Sequence, residues 1–405
     1  MRFFDGFKSI LPEYCIWAGV AGVLTLSLVY GARMKRPEFS NIHAYFRRPL
    51  AALEKSSLRD RFLRRIKWGL GAPYRVLVSS REARAVVRRR DRVSLLRQLL
   101  ESWWVVARYE FEPRDYYQYR LYDPRNWARR GQYITQRQNL RLLRGVLGPS
   151  PLFWDKRDFS RDCEAQGLPA IPLLAEWRDG RLVSFVEDWP DEFYSKPALG
   201  YHGFGVRAWK KGSEVRSELE RFIVDHGGGE GAVIQPRVLN HPDLSGLSNG
   251  SLCTLRITGC RMPDGEIEFL LPTFRMPVGD SPVDNFGQGN LVAPVDVKTG
   301  RLGMGRRRDE EGVIWSVESH PDTGQSVVGA RVPFFEEALA LCRRAHQAFP
   351  DPPMLGWDVA LSEEGPLLVE GNYLFGSEAP QIAHDSPLGE PRYITCMSSL
   401  LERAG

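Results

Sequence analysis

The spacing of apolar and polar residues divides the chain into parts with different secondary structure. Ile16–Ala32 is an uncharged, largely apolar run, and residues 37–100 are rich in Arg with a mostly helical pattern. Beyond about Pro151, short apolar strands alternate with turns containing Gly, Pro and Asp. The clearest amphipathic helix is 333–350, where Pro350 ends the helical spacing. Strands joined by hairpins, with occasional helices, predict an α+β fold around antiparallel sheets.

The stretch GWDVALSEEGPLLVEGN, Gly356–Asn372, predicts a β-hairpin with one polar face. A turn centred near Glu364 places Asp358 opposite Glu370, and Asn372 lies on the same face as Glu370. Opposed carboxylates repel each other unless a cation neutralises them. The pattern therefore favours a Mg²⁺ site, with a solvated polar face as the alternative. The alternate positions are expected to point into a core: Trp357, Val359, Leu361, Leu367 and Val369.

A second predicted hairpin carries two arginines. Met262–Gly265 has the composition of a tight turn, and strand alternation puts four flanking residues on one face. A pair of arginines on one sheet face suits a phosphate or a carboxylate, and the alternative is two solvated surface arginines. The four residues are Thr254, Arg256, Thr273 and Arg275.

Two lysines and a glycine-rich loop are candidates for phosphate binding. Lys156 opens a helical run and by itself is typical of an exposed lysine. Lys196 ends a predicted strand and is followed by Gly200, Gly203 and Gly205. Such a loop lets backbone N–H groups approach phosphate oxygens, and an adjacent lysine adds positive charge. The alternative is an ordinary glycine-rich hairpin turn.

Two further segments read as ligand-binding loops. The apolar pair Val233-Ile234 leads into an extended segment whose backbone groups could pair with an adenine edge. That segment consists of Gln235, Pro236, Arg237 and Val238. The loop GDSPVDNFGQGNL, which contains Asn285, Gly287 and Gly289, is expected to be too polar for a core and to close over a ligand.

Charge is unevenly distributed along the chain. The net charge is only +5, but the stretch from Arg47 to Arg97 contains far more Lys and Arg than Asp and Glu. This basic stretch could meet phosphates of lipid or nucleic acid, or form a solvated helical surface. Its position just after an apolar segment favours an anionic membrane surface, and we expect no nucleic-acid partner.

The uncharged segment Ile16–Ala32 has the minimum length of a membrane-spanning helix. Arg33, Lys35 and Arg36 follow it, so the positive-inside rule predicts a cytoplasmic catalytic part tethered to the inner face of the plasma membrane. A buried core helix is the alternative, and a cleaved signal peptide fits less well.

The cysteines argue against a zinc site. None of the six forms a C-x-x-C pair, so they are predicted to be reduced residues in a cytosolic compartment. They are Cys15, Cys163, Cys253, Cys260, Cys342 and Cys396.

Taken in order, these motifs resemble the ATP-grasp superfamily over roughly residues 100–390. The chain is most similar to the sugar-transfer-associated ATP-grasp family, and its later motifs are similar to those of α-L-glutamate ligases. The resemblance implies an ATP-grasp fold with the nucleotide between two α+β subdomains. We therefore predict a membrane anchor within residues 1–36, a basic helical region at 37–147 and an ATP-grasp domain at 148–400.

The resemblance also implies a role for each candidate residue. Lys156, Lys196 and the glycine loop would contact nucleotide phosphates, and Gln235–Val238 would line the adenine. Arg256 would stabilise the transferring phosphate, and Arg275 would hold phosphate or acyl substrate. The metal ligands would be Asp358, Glu370 and Asn372. The implied cofactors are ATP and Mg²⁺, which Mn²⁺ could replace.

The implied function is a carboxylate–amine ligase that works through an acyl phosphate on small-molecule or peptide substrates. The family name links it to cell-envelope polysaccharide or peptide biosynthesis. Two alternatives stay open: a phosphotransferase acting on a small molecule or sugar, and a nucleotide-binding accessory protein at the membrane.

Overall fold

The computed structural model describes residues 41–43, 57–147, 155–199, 205–212, 214–226 and 231–404. The segment Ile16–Ala32 lies outside these ranges, so its predicted membrane span stays a prediction. None of the helices within the described ranges combines the length and apolar character that a bilayer crossing requires.

The described part of the Arg-rich region is helical, in agreement with its pattern. Local signals set the helix ends: the Ser94 hydroxyl accepts a hydrogen bond from Arg97 N–H, and Pro113 occupies the first position of a short helix capped by Glu112 and Asp115. The helices are α1 (Leu58–Val78), α2 (Arg81–Arg90), α3 (Leu95–Tyr109), α4 (Pro113–Gln118), α5 (Pro124–Ala128) and α6 (Gln136–Leu147).

A five-stranded sheet follows, in the spatial order β2-β1-β5-β3-β4. Phe193, Ile234 and Trp209 from its strands pack with Leu219 and Ile223 in a separate core. The strands are β1 (Ala175–Arg178), β2 (Arg181–Ser184), β3 (Glu192–Pro197), β4 (Arg207–Lys210) and β5 (Ala232–Pro236), and the accompanying helices are α7 (Lys156–Ala165) and α8 (Val215–His226).

The larger sheet has seven strands in the spatial order β10-β9-β8-β7-β6-β11-β12. The strands are β6 (Thr254–Arg261), β7 (Ile267–Met276), β8 (Leu291–Pro294), β9 (Gly305–Arg308), β10 (Ile314–Val317), β11 (Met354–Ser362) and β12 (Gly365–Asn372). One helix lies between β10 and β11 in the chain, α9 (Phe335–Ala348), and two follow β12, α10 (Glu378–Ala383) and α11 (Pro391–Ala404). The amphipathic helix predicted at 333–350 is α9, whose buried side chains include Leu341 and Cys342 and pack near Trp357.

Neighbouring strands in both sheets pair antiparallel throughout the described chain. The α+β prediction with antiparallel sheets is therefore confirmed. A central pair, β6 and β11, places Arg256 directly opposite Asp358, although the two residues are far apart in sequence.

The β11–β12 hairpin is confirmed, and Asp358 pairs with Glu370. The turn, however, is tighter than predicted, because Ser362 pairs with Gly365. A bulge between the turn and the Asp358 pair adds one residue to β12 and restores the predicted register at Asp358.

The bulge overturns part of the predicted core. Leu368 is completely buried, whereas Leu367 and Val369 are only half-buried. Val369 instead lines the cleft described below. The expectation that Leu367 and Val369 point into the core was wrong because one inserted residue exchanges the two faces of a strand. Trp357, Val359 and Leu361 are buried as expected.

Candidate functional site

A cleft of about 450 Å³ is lined by both sheets and by the helical region. The smaller sheet contributes Lys196, and the larger sheet contributes Arg256, Arg275, Asp358 and Glu370. Side chains alternate between the two faces of a strand, so residues two positions apart in one strand point to the same face. Basic and acidic groups therefore meet in one enclosed space, an arrangement suited to a polyanion accompanied by a divalent cation.

Asp358 is the centre of this charge cluster and is 5% exposed. The Arg256 guanidinium binds both of its oxygens, with Nη2 2.8 Å from Oδ2. Arg275 Nη2 lies 3.0 Å from the same Oδ2. Burial by itself would raise the pKa of Asp358, but the two arginines outweigh it and hold the pKa below its usual value. Asp358 is therefore a carboxylate at neutral pH.

The other two predicted metal ligands lie beside Asp358. Glu370 and Asn372 both line the cleft, and the Asn372 amide nitrogen is 3.4 Å from Asp358 Oδ2. The described residues contain no group of three or more His, Cys, Asp or Glu side chains placed to hold a metal. Two carboxylates and one amide oxygen are thus the available donors on this face.

Asp284 is a buried acidic residue that the sequence interpretation overlooked. It accepts a hydrogen bond from the Thr254 hydroxyl, and its Oδ2 lies 3.4 Å from Arg275 Nε. Burial raises the pKa of Asp284, and Arg275 opposes this shift. The Arg275 guanidinium also donates to Thr254 Oγ1 at 2.7 Å, so one arginine is held by three groups. In the sequence, Asp284 stands two positions before the apolar residue Phe286. That apolar residue could have indicated that this part of the loop is buried.

The loop that contains Asp284 is held in place by Asn290. The Asn290 amide accepts from Val278 N–H at 2.9 Å and donates to the carbonyls of Val283 and Asn285 at 2.8 and 3.0 Å. Phe286 in the same loop is buried in a hydrophobic cluster. The expectation that this loop is too polar for a core fails at Phe286 but agrees with Asn285, Gly287 and Gly289, which are not buried. Asn285 and Gly287 line the cleft, and closure of the loop over a ligand stays a prediction.

Both predicted phosphate-binding lysines line the cleft. Lys196 Nζ donates to Gln235 Oε1 at 3.0 Å. Burial lowers the pKa of Lys196 to about 8, the Glu370 carboxylate opposes the shift, and Lys156 adds to it. Lys156 is the first residue of α7, which Asp155 caps. Two cations thus face the acidic end of the cleft from the smaller sheet and its helix.

Part of the glycine-rich loop is described. Gly205 has φ +74°, and a Cβ there would approach Pro197 Cγ to 2.7 Å, so this position requires glycine. Gly200 and Gly203 lie outside the described residues, and their predicted phosphate contacts stay predictions.

The predicted adenine segment is divided between the cleft and the surrounding structure. Pro236 and Val238 line the cleft. The Gln235 side chain is occupied, because it binds Lys196 and donates to the Ile171 carbonyl at 3.2 Å. The Arg237 side chain is engaged by Glu192 and the Gly250 carbonyl. Of these four residues, Pro236 and Val238 are therefore the two that are placed to contact a ligand in the cleft directly.

Helix α6 forms a wall of the cleft that no sequence motif predicted. Gln136, Leu140 and Arg144 line it at intervals of one helical turn. The helix is attached to the segment after β12, where Ser377 N–H donates to Gln136 Oε1 at 2.8 Å. The buried Asn139 amide donates to the Phe375 carbonyl, also at 2.8 Å. The helical region therefore takes part in the site.

At the end of the cleft near α10, Glu378 is held by two groups. Its Oε2 accepts from Arg308 at 2.8 Å, and its Oε1 accepts from Gln118 at 3.3 Å. Gln118 also donates to the buried Asp115 at 2.9 Å. The pKa of Asp115 is raised to about 7, mainly by burial; the hydrogen bond from Glu112 N–H opposes this shift, and the charges of Glu378 and Glu112 contribute to it. This network connects α4 to the cleft.

Comparisons with solved structures give distant likenesses. D-alanine–D-alanine ligase from Helicobacter pylori is 12% identical over 62% of this chain and 58% of its own, with a TM-score of 0.36. L-amino acid ligase from Bacillus licheniformis is 12% identical over 66% and 53%, with a TM-score of 0.37. This chain thus spans less than two thirds of the length of either protein.

The family comparison is decisive. No curated protein matches the sequence. The family model described as sugar-transfer associated ATP-grasp matches residues 149–392, which is more than half of the chain and includes the predicted lysines, arginines and acidic residues of the cleft. The chain therefore belongs to the sugar-transfer associated ATP-grasp family.

Proposed function

We propose that this chain is an ATP- and Mg²⁺-dependent ligase that joins a carboxylate to an amine through an acyl phosphate. The observation that supports this proposal is the single cleft in which Lys196, Arg256, Arg275, Asp358 and Glu370 meet. Phosphoryl transfer needs positioning and charge neutralisation more than a protein nucleophile, and these groups supply both.

ATP would lie with its phosphates between the two lysines. Lys156 and Lys196 would contact phosphate oxygens, and the glycine-rich loop, whose Val206 lines the cleft, would supply backbone N–H groups. The adenine would rest on Pro236 and Val238, since the side chains of Gln235 and Arg237 are engaged elsewhere.

The donor groups fit a hard divalent cation. Mg²⁺, or Mn²⁺ in its place, prefers oxygen ligands and needs one or two carboxylates when nucleotide phosphates complete its shell. Asp358 and Glu370 supply carboxylates, and the Asn372 amide supplies a further oxygen. Asp358 Oδ2 accepts from Arg256, Arg275 and Asn372, whereas Oδ1 accepts from Arg256 alone, so Oδ1 is the oxygen with a lone pair left for a cation. The bound cation would neutralise charge on the phosphates.

The reaction proceeds in two steps. An oxygen of the substrate carboxylate attacks the γ-phosphorus of ATP, the bond to the β-phosphate oxygen breaks, and ADP leaves. The amine nitrogen then attacks the acyl carbon, orthophosphate departs, and the nitrogen releases a proton. Arg256 and Arg275 would stabilise the transferring phosphoryl group and the acyl phosphate. Their ion pairs with Asp358 keep both guanidinium groups positioned within the cleft.

The wall formed by α6 supports an assignment of the acyl or amine substrate to that side of the cleft. Arg144 makes no ion pair with a carboxylate in the part of the chain that the structure describes, so it is available to an anionic group of a substrate. The family name associates this chemistry with sugar transfer, which supports a role in assembling envelope polysaccharide or peptide.

A phosphotransferase acting on a small molecule or sugar would use the same nucleotide site. Hydroxylamine distinguishes the two, because it converts an acyl phosphate into a hydroxamate. We expect hydroxamate to form together with ADP when a panel of carboxylates is supplied with Mg-ATP. A phosphorylated product without hydroxamate would reject the ligase. The accessory-protein alternative predicts that Asp358→Asn and Glu370→Gln variants retain function in the cell.

We also propose that Ile16–Ala32 tethers the catalytic region to the inner face of the plasma membrane. The basic residues after this uncharged segment support that orientation. Deletion of residues 1–36 should move the protein from the membrane fraction to the soluble fraction. Recovery of the intact chain in the soluble fraction without detergent would contradict the tether.

A further inference from the structure

Helix α1 exposes an apolar stripe along its length. Phe62, Ile66, Leu70, Tyr74 and Leu77 are 66%, 40%, 61%, 68% and 57% exposed. Residues three or four positions apart lie on one face of a helix, so these five side chains form a continuous surface. Soluble proteins rarely leave a contiguous apolar surface of this kind without an interaction partner.

The opposite face of α1 already has its contacts. Ala72 and Val76 are buried against Val106 of α3, and the Trp68 indole donates to the Val106 carbonyl at 2.8 Å. The exposed stripe is therefore additional to the surface that attaches the helix to the protein.

The sequence of α1 also indicates that the helix needs a second supporting surface. Gly69, Gly71 and Pro73 lie within it and weaken its intrinsic tendency to be helical. A helix with such residues depends on burial of its apolar faces for stability. The contacts with α3 bury only part of its apolar residues.

The charge of α1 identifies the kind of partner. Among its residues, six are Lys or Arg and one is Asp. Arg59 and Lys67 are exposed near the apolar stripe. An apolar face with large aromatic and aliphatic side chains, combined with basic residues, is typical of a helix that lies in the interface of an anionic membrane.

We propose that α1 lies flat on an anionic lipid surface, with its apolar stripe at the boundary between headgroups and acyl chains. This interaction is separate from the catalytic cleft and from the tether. It would orient the helical region, and with it α6, relative to the membrane.

The test places a fluorescent probe on the stripe of the full-length chain. Tyr74→Cys is labelled with an environment-sensitive dye in a Cys15→Ser background, because the other five cysteines are buried. The matched control is Val224→Cys on α8, which is 65% exposed compared with 68% for Tyr74. Vesicles are made of phosphatidylcholine alone or with about a third phosphatidylglycerol.

We expect a blue shift and a severalfold loss of iodide quenching at position 74 with the anionic vesicles only, and no change at position 224. Adding Leu70→Glu should abolish the change. A position-74 probe that stays fully quenchable on vesicle-bound protein would overturn the proposal, because the tether alone would then hold the chain. A probe shielded before vesicles are added would also overturn it, since another segment or a second copy would cover the stripe.

Discussion

Asp358 and Glu370 face each other across the β11–β12 pair, yet only Asp358 is ion-paired in the described part of the chain. Arg256 and Arg275 neutralise Asp358, whereas Glu370 projects into the cleft without an ion pair. The two acidic residues therefore differ in what they do for the fold. Asp358 holds two largely buried arginines together, and Glu370 is available to a ligand.

This difference predicts that Asp358→Asn and Glu370→Gln separate stability from activity. Asp358→Asn leaves the largely buried Arg256 without a carboxylate and Arg275 with Asp284 alone, and it should lower the free energy of unfolding by about 3 kcal/mol. Glu370→Gln should change it by about 0.5 kcal/mol or less. Both should reduce Mg-ATP turnover by about a hundredfold or more. Urea unfolding and ADP release measure the two effects, and equal destabilisation by both variants would contradict this assignment.

The lowered pKa of Lys196 predicts pH-dependent nucleotide binding. With a pKa of about 8, its ammonium is mostly charged at pH 7 and mostly neutral at pH 9. The affinity for Mg-ATP should therefore fall roughly tenfold over this interval, as titration calorimetry can measure. Lys196→Gln should bind more weakly at pH 7 and lose this dependence. The same slope in the variant would assign the titration to another group.

Arg144 predicts selectivity for anionic substrates. If the ligase proposal holds, Arg144→Gln should reduce ADP release with substrates that carry a second anionic group by about tenfold, because a charge-assisted hydrogen bond is lost. Matched pairs such as glutarate and butyrate reveal the effect, and Mg-ATP affinity should not change. The control is Arg137→Gln, since Arg137 lies on the same helix but does not line the cleft. Equal losses for both members of a pair would contradict the prediction.

The raised pKa of Asp115 predicts that the free energy of unfolding depends on pH below neutrality. Its pKa is about 7 in the folded protein because of burial and lies near 4 when unfolded. The folded state binds the extra proton between these values, so this group lowers the free energy of unfolding as the pH rises from about 4 to 7. Asp115→Asn should flatten that decline in urea unfolding measured at pH 5 and 8. An exposed control, Asp158→Asn, should retain it.

Local patterns predicted much of the candidate site. The alternation of residues in Gly356–Asn372 brought Asp358, Glu370 and Asn372 to one face, and all three line the cleft. Alternation likewise placed Arg256 and Arg275 on one sheet face, where both contact Asp358. These predictions succeeded because the side-chain period of a strand depends only on neighbouring residues.

Predictions that required more than neighbouring residues were less successful. The bulge in β12 reversed the faces of Leu367 and Val369, since a one-residue insertion depends on how the whole sheet packs. Asp284 and the α6 wall were missed because their contacts with Thr254 and Phe375 join residues 30 and 236 positions apart in sequence. The periodic pattern of apolar and polar residues does not indicate which distant segments of the chain come into contact.

The amino-acid sequence by itself determined the order of the motifs, the alternation that gathers each set of polar residues, and the membership of the ATP-grasp family. Only the tertiary structure decided that β6 lies beside β11, so that Arg256 neutralises Asp358 and leaves Glu370 free for a ligand. The physical reason is that hydrogen bonding and periodicity act between near neighbours. Burial and charge pairing, in contrast, depend on which distant elements pack together.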